Sequence, residues 1–194
     1  TNPYDDSKII KPIYDLVMDA DVVVGHNMDK YDYKVFQTRA FINGLPPIPP
    51  KVSVDTLKIL RRHFNFAHNR LDAVCRELGL GGKAETGGMD LWIKVLQGDK
   101  QAVKKMETYC ERDVELLNEL YFLLRGWDSR HPSFNLVDGG EDACPTCGNT
   151  GTLKTNPSWV HKAQTRIYPR FRCTSCGHWT RGVKAIGRVN VRNI

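Results

Sequence analysis

Hydrophobic and polar positions over residues 1–124 alternate between a helical and an extended pattern. Apolar residues recur at helical spacing over 7–19, which predicts an amphipathic helix with Ser7 as its N-cap. The run 21–25 is short, apolar and ended by glycine, as in a strand buried on both faces of a mainly parallel sheet. A second short strand is expected over 52–55. This alternation predicts an α/β fold.

Helical patterns fill most of the chain around these strands. Further helices are expected over residues 33–42, 56–64, 70–78, 91–96 and 101–124. The glycine-rich segment 81–88 lacks the Gly-x-x-x-x-Gly-Lys-Ser/Thr pattern of a phosphate-binding loop, and we interpret it as a mobile loop. The whole pattern predicts a domain over 1–126, a linker over 127–140 and a small module over 141–194.

The small module carries two closely spaced cysteine pairs. Cys144 and Cys147 form one Cys-x-x-Cys pair and Cys173 and Cys176 the other, with a glycine after each pair and 25 residues between the pairs. Each pair presents two thiolates, and four thiolates close a tetrahedral zinc site with no open position. The spacing therefore predicts a structural Zn²⁺ in a zinc ribbon. Disulfides are the alternative, and a cytosolic setting disfavours them.

Composition is that of an ordinary globular protein, with 41% hydrophobic, 26% charged and 9% aromatic residues. No apolar run is long enough for a membrane span, and no signal-peptide pattern opens the chain. The two remaining cysteines, Cys75 and Cys110, stand alone in apolar helical patterns and are expected to be buried thiols. These features predict a cytoplasmic protein, located in the host cytoplasm if the protein is viral.

The net charge of +6 is unevenly distributed along the chain. Residues 1–140 hold 19 basic and 20 acidic side chains, whereas residues 141–194 hold 9 basic and 2 acidic ones, a net charge of +7. Such a local excess favours a polyanion, and nucleic acid is the commonest one in the cytosol. A solubilising tail is the alternative.

Aromatic and basic residues interleave within this charged module. The aromatic residues are Trp159, Tyr168, Phe171 and Trp179, and the basic ones among them are Lys154, His161, Lys162, Arg166, Arg170, Arg172 and Arg181. This composition suits a surface that stacks bases and holds phosphates of a single strand, and equally a ribbon that docks on a protein. Residues 182–194 are expected to be frayed or ordered by a partner.

Candidate chemistry lies in two segments of the larger domain. The first, 25–32, follows the first strand, at the sheet edge where open α/β sheets bind their ligands. Asp32 would start a helix there, where a carboxylate either faces a metal ion or serves as a first-turn acid. The second segment holds Tyr109 and Asp113, which lie one turn apart on one face of the last helix. Such a pair taken alone also occurs by accident.

Together these motifs resemble those of the DEDD 3′–5′ exonuclease family, in the branch with tyrosine in its third motif. The matching motifs are, in order, Asn27-x-x-x-Tyr31-Asp32, Asp55-Thr56 and Tyr109-x-x-x-Asp113. The Gly-His-Asn segment, together with the attached ribbon, is most similar to phage-type members. The resemblance covers about residues 1–125. It implies a three-layer, ribonuclease H-like exonuclease fold that here lacks its opening strands, plus a small C-terminal zinc ribbon.

The resemblance also implies roles for single residues in a two-metal hydrolysis of DNA phosphodiester bonds. Asp32 and Asp113 match ligands of Mg²⁺ or Mn²⁺, which prefer carboxylate oxygens. Tyr109 matches the residue that orients the attacking water. Asn27 is similar to the family's side chain near the terminal nucleotide, and His26 is a further candidate for substrate binding or for a structural role beside it. The implied activity is a metal-dependent 3′–5′ exonuclease.

The sequence departs from the family at its first motif. That motif is an Asp-x-Glu on an opening strand, and no predicted strand of this chain carries one. Because the chain begins at Thr1, we expect a trimmed nuclease that holds only part of its metal site; another chain could supply the segment, or catalysis could have been lost. Expected partners are single-stranded DNA or a DNA 3′ end, and a replication or repair protein at the ribbon. The alternative function is a non-catalytic adaptor for nucleic acid or protein.

Overall fold

The computed structural model describes residues 5–82, 88–136 and 140–190. The chain divides into two compact units, Thr1–Tyr121 and Phe122–Ile194. Residues 83–87 of the expected glycine-rich loop lie outside the described residues. Within the described ranges, no helix has both the length and the apolar character that a bilayer span requires.

The first unit combines a parallel pair of strands with helices. Strand β1 (Val22–Gly25) runs parallel to β2 (Val52–Asp55), with Gly25 beside Asp55 at the carboxyl ends. The helices are α1 (Ser7–Asp19), α2 (Asp32–Ile42), α3 (Thr56–His63), α4 (Leu71–Glu77), α5 (Met89–Leu96) and α6 (Lys100–Leu124). These bounds confirm the α/β alternation that the hydrophobic pattern predicts.

A hydrophobic core forms where α3, α4, α6 and β2 meet. Its most deeply buried members are Val54, Ile59, Leu60, Val74, Cys75, Leu116 and Leu120. The burial predicted for Cys75 is thus confirmed, and its sulfur lies 3.8 Å from the carbonyl oxygen of Leu116. The prediction for Cys110 is wrong: this residue is exposed. It precedes Leu116 by six positions, which places it about 120° around the helix from the core-facing side.

Two further local predictions are corrected in the first unit. Residues 22–24 of β1 are half-buried rather than buried on both faces, because β2 is its one paired neighbour among the described residues. The N-cap position of α1 is Asp6 and not Ser7. The Asp6 carboxylate instead accepts hydrogen bonds from Arg39 at 2.5 and 2.7 Å and from Asn43 at 3.0 Å, which ties the start of α1 to α2.

The second unit is built on an antiparallel sheet. Its strands are β3 (Leu153–Ala163), β4 (Arg166–Cys173), β5 (Trp179–Arg181) and β6 (Gly187–Arg188). Strand β4 pairs with each of the other three, and the register of β3 shifts between Thr155 and Val160. Pro157 lies within this shift, where its lack of an N–H group costs no ladder hydrogen bond. The frayed end expected from residue 182 onward is wrong for β6, because Arg188 pairs with Arg166.

Candidate functional site

The loop after β1 is held in place by one buried carboxylate. Asp55, at the end of β2, is only 5% exposed. Its Oδ1 accepts hydrogen bonds from the backbone N–H groups of Asn27 at 2.8 Å and Leu57 at 3.0 Å, and its Oδ2 accepts one from Asp29 at 3.4 Å. The same side chain therefore caps α3 and fixes the loop, which gives Asp55 a structural role in this site.

The sharp course of this loop explains its residue types. Asn27 has φ of 63°, in the left-handed region that asparagine tolerates better than most residues. At Gly25, a Cβ atom would lie 2.3 Å from the Cβ of Met28, so any larger residue would push the loop away from the strand. Glycine and asparagine in the Gly-His-Asn segment thus allow the sharp turn of the backbone. This turn presents the following residues at the carboxyl end of β1.

His26 is fixed from both sides of its ring. Its Nε2 donates to the backbone oxygen of Asn69 at 2.9 Å, since a carbonyl can only accept, and its Nδ1 lies 2.9 Å from Oγ1 of Thr56. The Thr56 hydroxyl also lies 3.1 Å from the carbonyl oxygen of Gly25. These contacts join the ends of β1 and β2 to the segment before α4.

A cleft of about 1080 Å³ opens beside this loop. Four of the residues predicted from the sequence line it: His26, Asn27, Asp32 and Asp113. Asp32 is the first residue of α2 and is exposed, whereas Asp113 is half-buried on α6. Two carboxylates that lie 81 positions apart in the sequence therefore face one cavity.

Tyr109 is the predicted site residue that the cleft does not include among its described lining residues. It is half-buried and lies one helical turn before Asp113 on α6. The structure thus brings four of the five predicted residues to one cavity, and Tyr109 is not among the residues that line it.

Three lining residues carry no signal in the sequence. Arg61 on α3 and Arg70 before α4 add cationic groups to the cleft. Asn69 also lines the cleft, and its Oδ1 is buried with no hydrogen-bond partner among the described residues. No motif marks these positions, because they reach the cleft only through the packing of α3 and of the segment between α3 and α4.

The residues of the cleft fit divalent cations. Carboxylate oxygens are the ligands that Mg²⁺ and Mn²⁺ prefer, and Asp32 and Asp113 offer two such groups from different elements. Asp29 is committed elsewhere, since its carboxylate pairs with Lys58 at 2.5 Å. Burial alone would raise the pKa of Asp29, but the hydrogen bonds from Lys58 and Ser53 outweigh burial and hold this pKa below its usual value.

The four cysteines of the second unit form a compact cluster. Their sulfur atoms all lie within 4.8 Å of one another, with 3.7 Å between Cys144 and Cys176 and 3.7 Å between Cys147 and Cys173. Four thiolates around a tetrahedral ion at about 2.3 Å stand about 3.8 Å apart, whereas a disulfide needs about 2.05 Å. The cluster could therefore bind zinc, and the disulfide alternative does not fit it.

Backbone geometry around the cluster follows the two glycines after the cysteine pairs. Gly148 and Gly177 have φ of 72° and 75°, and their N–H groups donate to the carbonyl oxygens of Cys144 and Cys173. Burial raises the pKa of Cys144 and Cys176. Burial also opposes ionisation of Cys173, but the Thr152 hydroxyl and nearby backbone N–H groups outweigh it and lower its pKa to about 6.

No sequence motif predicts the glycine that lets the chain approach the second cysteine pair. A Cβ at Gly126 would lie 2.0 Å from the carbonyl oxygen of Cys176. The carbonyl oxygen of Gly126 is also 3.1 Å from Nδ1 of His178. The turn at Arg125–Trp127 therefore packs directly on the cluster, and only glycine fits there.

Comparison with known families agrees with the fold of the first unit. The RNase_H superfamily matches residues 1–125, and the chain belongs to this superfamily. Ribonuclease H-like proteins of this kind are nucleases that bind nucleic acid, use divalent metal ions and hydrolyse phosphodiester bonds. A comparison with curated proteins gave no match.

Proposed function

We propose that the first unit is the catalytic domain of a DEDD-type 3′–5′ exonuclease that acts on DNA. We propose further that it belongs to the tyrosine-containing branch and resembles phage-type members. The observation that supports it most is the meeting of Asp32 and Asp113 in one cleft with His26 and Asn27. An acid at the start of one helix and another midway along a distant helix have no packing reason to share a cavity.

In the proposed site, a few side chains would bind metal ions, orient the attacking water and contact the substrate. Asp32 and Asp113 would supply part of the ligands for two divalent cations, which when bound supply Lewis acidity that activates a water and stabilises the leaving oxygen. Tyr109 would orient the attacking water from the preceding turn of α6. Asn27, with its backbone fixed by Asp55, would contact the terminal nucleotide.

Other lining residues would position the substrate. Arg61 and Arg70 would pair with backbone phosphates near the scissile bond, where a guanidinium binds oxygens in a bidentate way. His26, engaged by Thr56 and Asn69, would keep the wall of the cleft rigid. In the second unit we propose that one structural Zn²⁺ occupies the cysteine cluster.

The proposed function is tested with single-stranded DNA labelled at its 5′ end, in Mg²⁺ or Mn²⁺. A 3′–5′ exonuclease produces a ladder of progressively shortened labelled strands, and a non-hydrolysable linkage at the 3′ end should stop it. Because the resemblance assigns further carboxylates to an Asp-x-Glu strand, the assay compares this chain with a form extended upstream to include one. An RNA of the same sequence measures the preference for DNA.

Matched variants make the test specific to the cleft. Asp113→Asn should abolish hydrolysis by the active form while nucleic-acid binding is retained. The control is Glu111→Gln, which removes one charge from an exposed position of the same helix and should leave the rate unchanged. Undiminished hydrolysis by Asp113→Asn would contradict its role. Binding without hydrolysis by both forms would instead support the adaptor function.

A further inference from the structure

The register of the second sheet sorts its side chains onto two unlike faces. Side chains alternate along a strand, so residues with even numbers on β4 share one face and those with odd numbers share the other. The even face of β4 holds Arg166, Tyr168, Arg170 and Arg172, whereas the odd face holds Ile167, Pro169 and Phe171. Phe171 is therefore separated from the basic residues with which it interleaves in the sequence.

Neighbouring strands extend the basic face. Arg181 of β5 pairs with Arg170, and Arg188 of β6 pairs with Arg166. Lys154 of β3 pairs with Arg172. Directly paired residues point to the same side of a sheet. The six side chains Lys154, Arg166, Arg170, Arg172, Arg181 and Arg188, all exposed, form what we call the basic face.

Side-chain contacts agree with this assignment. The guanidinium carbon of Arg181 lies 4.5 Å from the ring centre of Tyr168. Arg166 and Arg181 hold the pKa of the Tyr168 phenol below its usual value. Nη2 of Arg170 lies 3.3 Å from Nδ1 of His161, the residue that pairs with Tyr168 across the strands. These contacts place the charged groups of three strands on one continuous surface.

Negative charge lies with the opposite face. Glu141 and Asp142 are the last acidic residues in the sequence, so none follows them in the remaining chain. Both line a cavity together with Leu153, Phe171 and Thr180, which belong to the odd face by register. The net positive charge of this region is therefore presented largely from one side of the sheet.

The basic face also presents an aromatic side chain to solvent. Trp179 pairs with Arg172 and is 48% exposed. Its ring is held edge to face against Trp159, with 4.8 Å between the ring centres and 67° between the planes. A rigid, half-exposed indole beside arginines offers a stacking surface for a base. A purely acidic peptide would use the charges but would gain little from the ring.

We infer that the basic face binds single-stranded nucleic acid, with phosphates on its arginines and a base stacked on Trp179. The inference rests on the proposed function for the identity of the ligand as nucleic acid, and it adds a contact separate from the carboxylate cleft. Stacking requires an unpaired base, so the face should prefer single strands to duplexes. Phosphates and base faces are common to DNA and RNA, and the test therefore includes both.

The test measures binding of fluorescent oligothymidylate and oligouridylate to the full chain with zinc present. An Asp113→Asn background prevents hydrolysis, so binding is read separately from catalysis. The double variant Arg170→Gln/Arg172→Gln should weaken binding on the order of 10-fold at about 0.1 M salt. It should also reduce the slope of log Kd against log salt by about 1.4, since each phosphate contact on a single strand contributes about 0.7.

A charge-matched control separates the face from general electrostatics. Lys162→Gln/Lys184→Gln removes the same charge from exposed positions outside the basic face, since Lys162 pairs with Ile167 and Lys184 follows β5. It should change Kd by less than about twofold because distant surface charges are screened. Zinc content equal to that of the unmodified chain shows that each variant is folded.

The stacking contact has its own pair of variants. Trp179→Leu should weaken single-strand binding by at least about fivefold and leave binding to a hairpin duplex unchanged. Trp127→Leu, at another exposed tryptophan of the same unit, should change neither.

Several results would overturn the inference. They are equal weakening by both charge pairs, no effect of Trp179→Leu, and failure to bind either oligonucleotide while an acidic protein is bound. A tighter complex with one oligonucleotide would identify DNA or RNA as the strand. Binding at the basic face, together with no hydrolysis by the form extended to include an Asp-x-Glu strand, would contradict the proposed function and leave this inference intact.

Discussion

In the first unit, the residues that line the cleft are held by hydrogen bonds and by a hydrophobic core. Its most deeply buried large side chains include the aliphatic residues Val54, Ile59, Leu60, Leu116 and Leu120. In the second unit, the largest fully buried side chains among the described residues are Cys144, Cys173 and Thr146, which are smaller than leucine or isoleucine. The largest fully buried side chains of the first unit are thus mainly aliphatic, whereas two of the three in the second unit are cysteines of the cluster. The stability of the second unit should therefore depend on the ion that four thiolates can hold.

This difference separates two ways of fixing a functional surface. Asp55 fixes the loop beside the cleft through three backbone N–H groups, so its geometry needs no metal. The basic face is fixed by strand register, and β4, the strand with which the other three pair, ends at Cys173, inside the cluster. Loss of zinc should therefore erase the basic face while the cleft persists.

Removal of a zinc ligand is the variant with the largest expected effect. Cys173→Ser should unfold the second unit, because the metal supplies folding free energy of about 10–16 kcal/mol in small zinc domains. Hydrogen exchange should show peptides from 153–181 unprotected and peptides from 56–63 still protected. The control Cys110→Ser alters an exposed thiol outside the cluster and should change neither. Retained protection of residues 153–181 in zinc-free protein would contradict the expectation that the second unit needs the metal ion to fold.

A smaller effect is expected when the anchor of the loop is removed. Asp55→Ala leaves three backbone N–H groups without their acceptor and should destabilise the first unit by about 1–3 kcal/mol, as measured by urea unfolding. Asp55→Asn keeps one carbonyl acceptor and should lose less. Zinc chelation should change neither difference. If chelation removed the effect of Asp55→Ala, the cleft would depend on the metal cluster, and the contrast between the units would fail.

The features that the sequence predicts correctly are those determined by residues close together in the chain. The helical period over 7–19 and the apolar run before Gly25 predict α1 and β1 closely, because both patterns are local. The cysteine spacing likewise predicts the cluster, since each pair forms within one turn. The chemical roles assigned to Asp32, Tyr109 and Asp113 stay predictions, although the cleft contains the two acids.

Features that depend on distant pairing could not be predicted. The sequence interleaves Tyr168 and Phe171 with arginines, and only the register of β4 shows that they lie on opposite faces. The pairing of Arg188 with Arg166 and the close approach of Gly126 to Cys176 also join residues far apart in the chain. The predicted burial of Cys110 is wrong for a related reason, since an apolar helical pattern does not show which face of the helix meets the core.

The smallest expected effect concerns the ion pair between α1 and α2, in the unit that needs no metal. Arg39 and Asn43 hold the pKa of Asp6 well below its usual value in the folded protein. A lowered pKa means that the pair stabilises the fold above the unfolded value of about 3.9 and that this contribution is lost as the pH falls toward the folded value. Because the pair lies near the surface, the contribution should be small and reduced by salt.

Asp6→Asn measures this contribution directly. The variant should unfold at a slightly lower temperature than the unmodified chain near neutral pH, and the two should converge as the pH falls below about 4. Asp19→Asn, an acid at the other end of α1 with no ion pair among the described contacts, is the matched control and should show no such convergence. A difference that persists at acid pH would mean that Asp6 acts by geometry alone. Zinc binding should leave the convergence unchanged, because the helices of the first unit are joined by their own side chains.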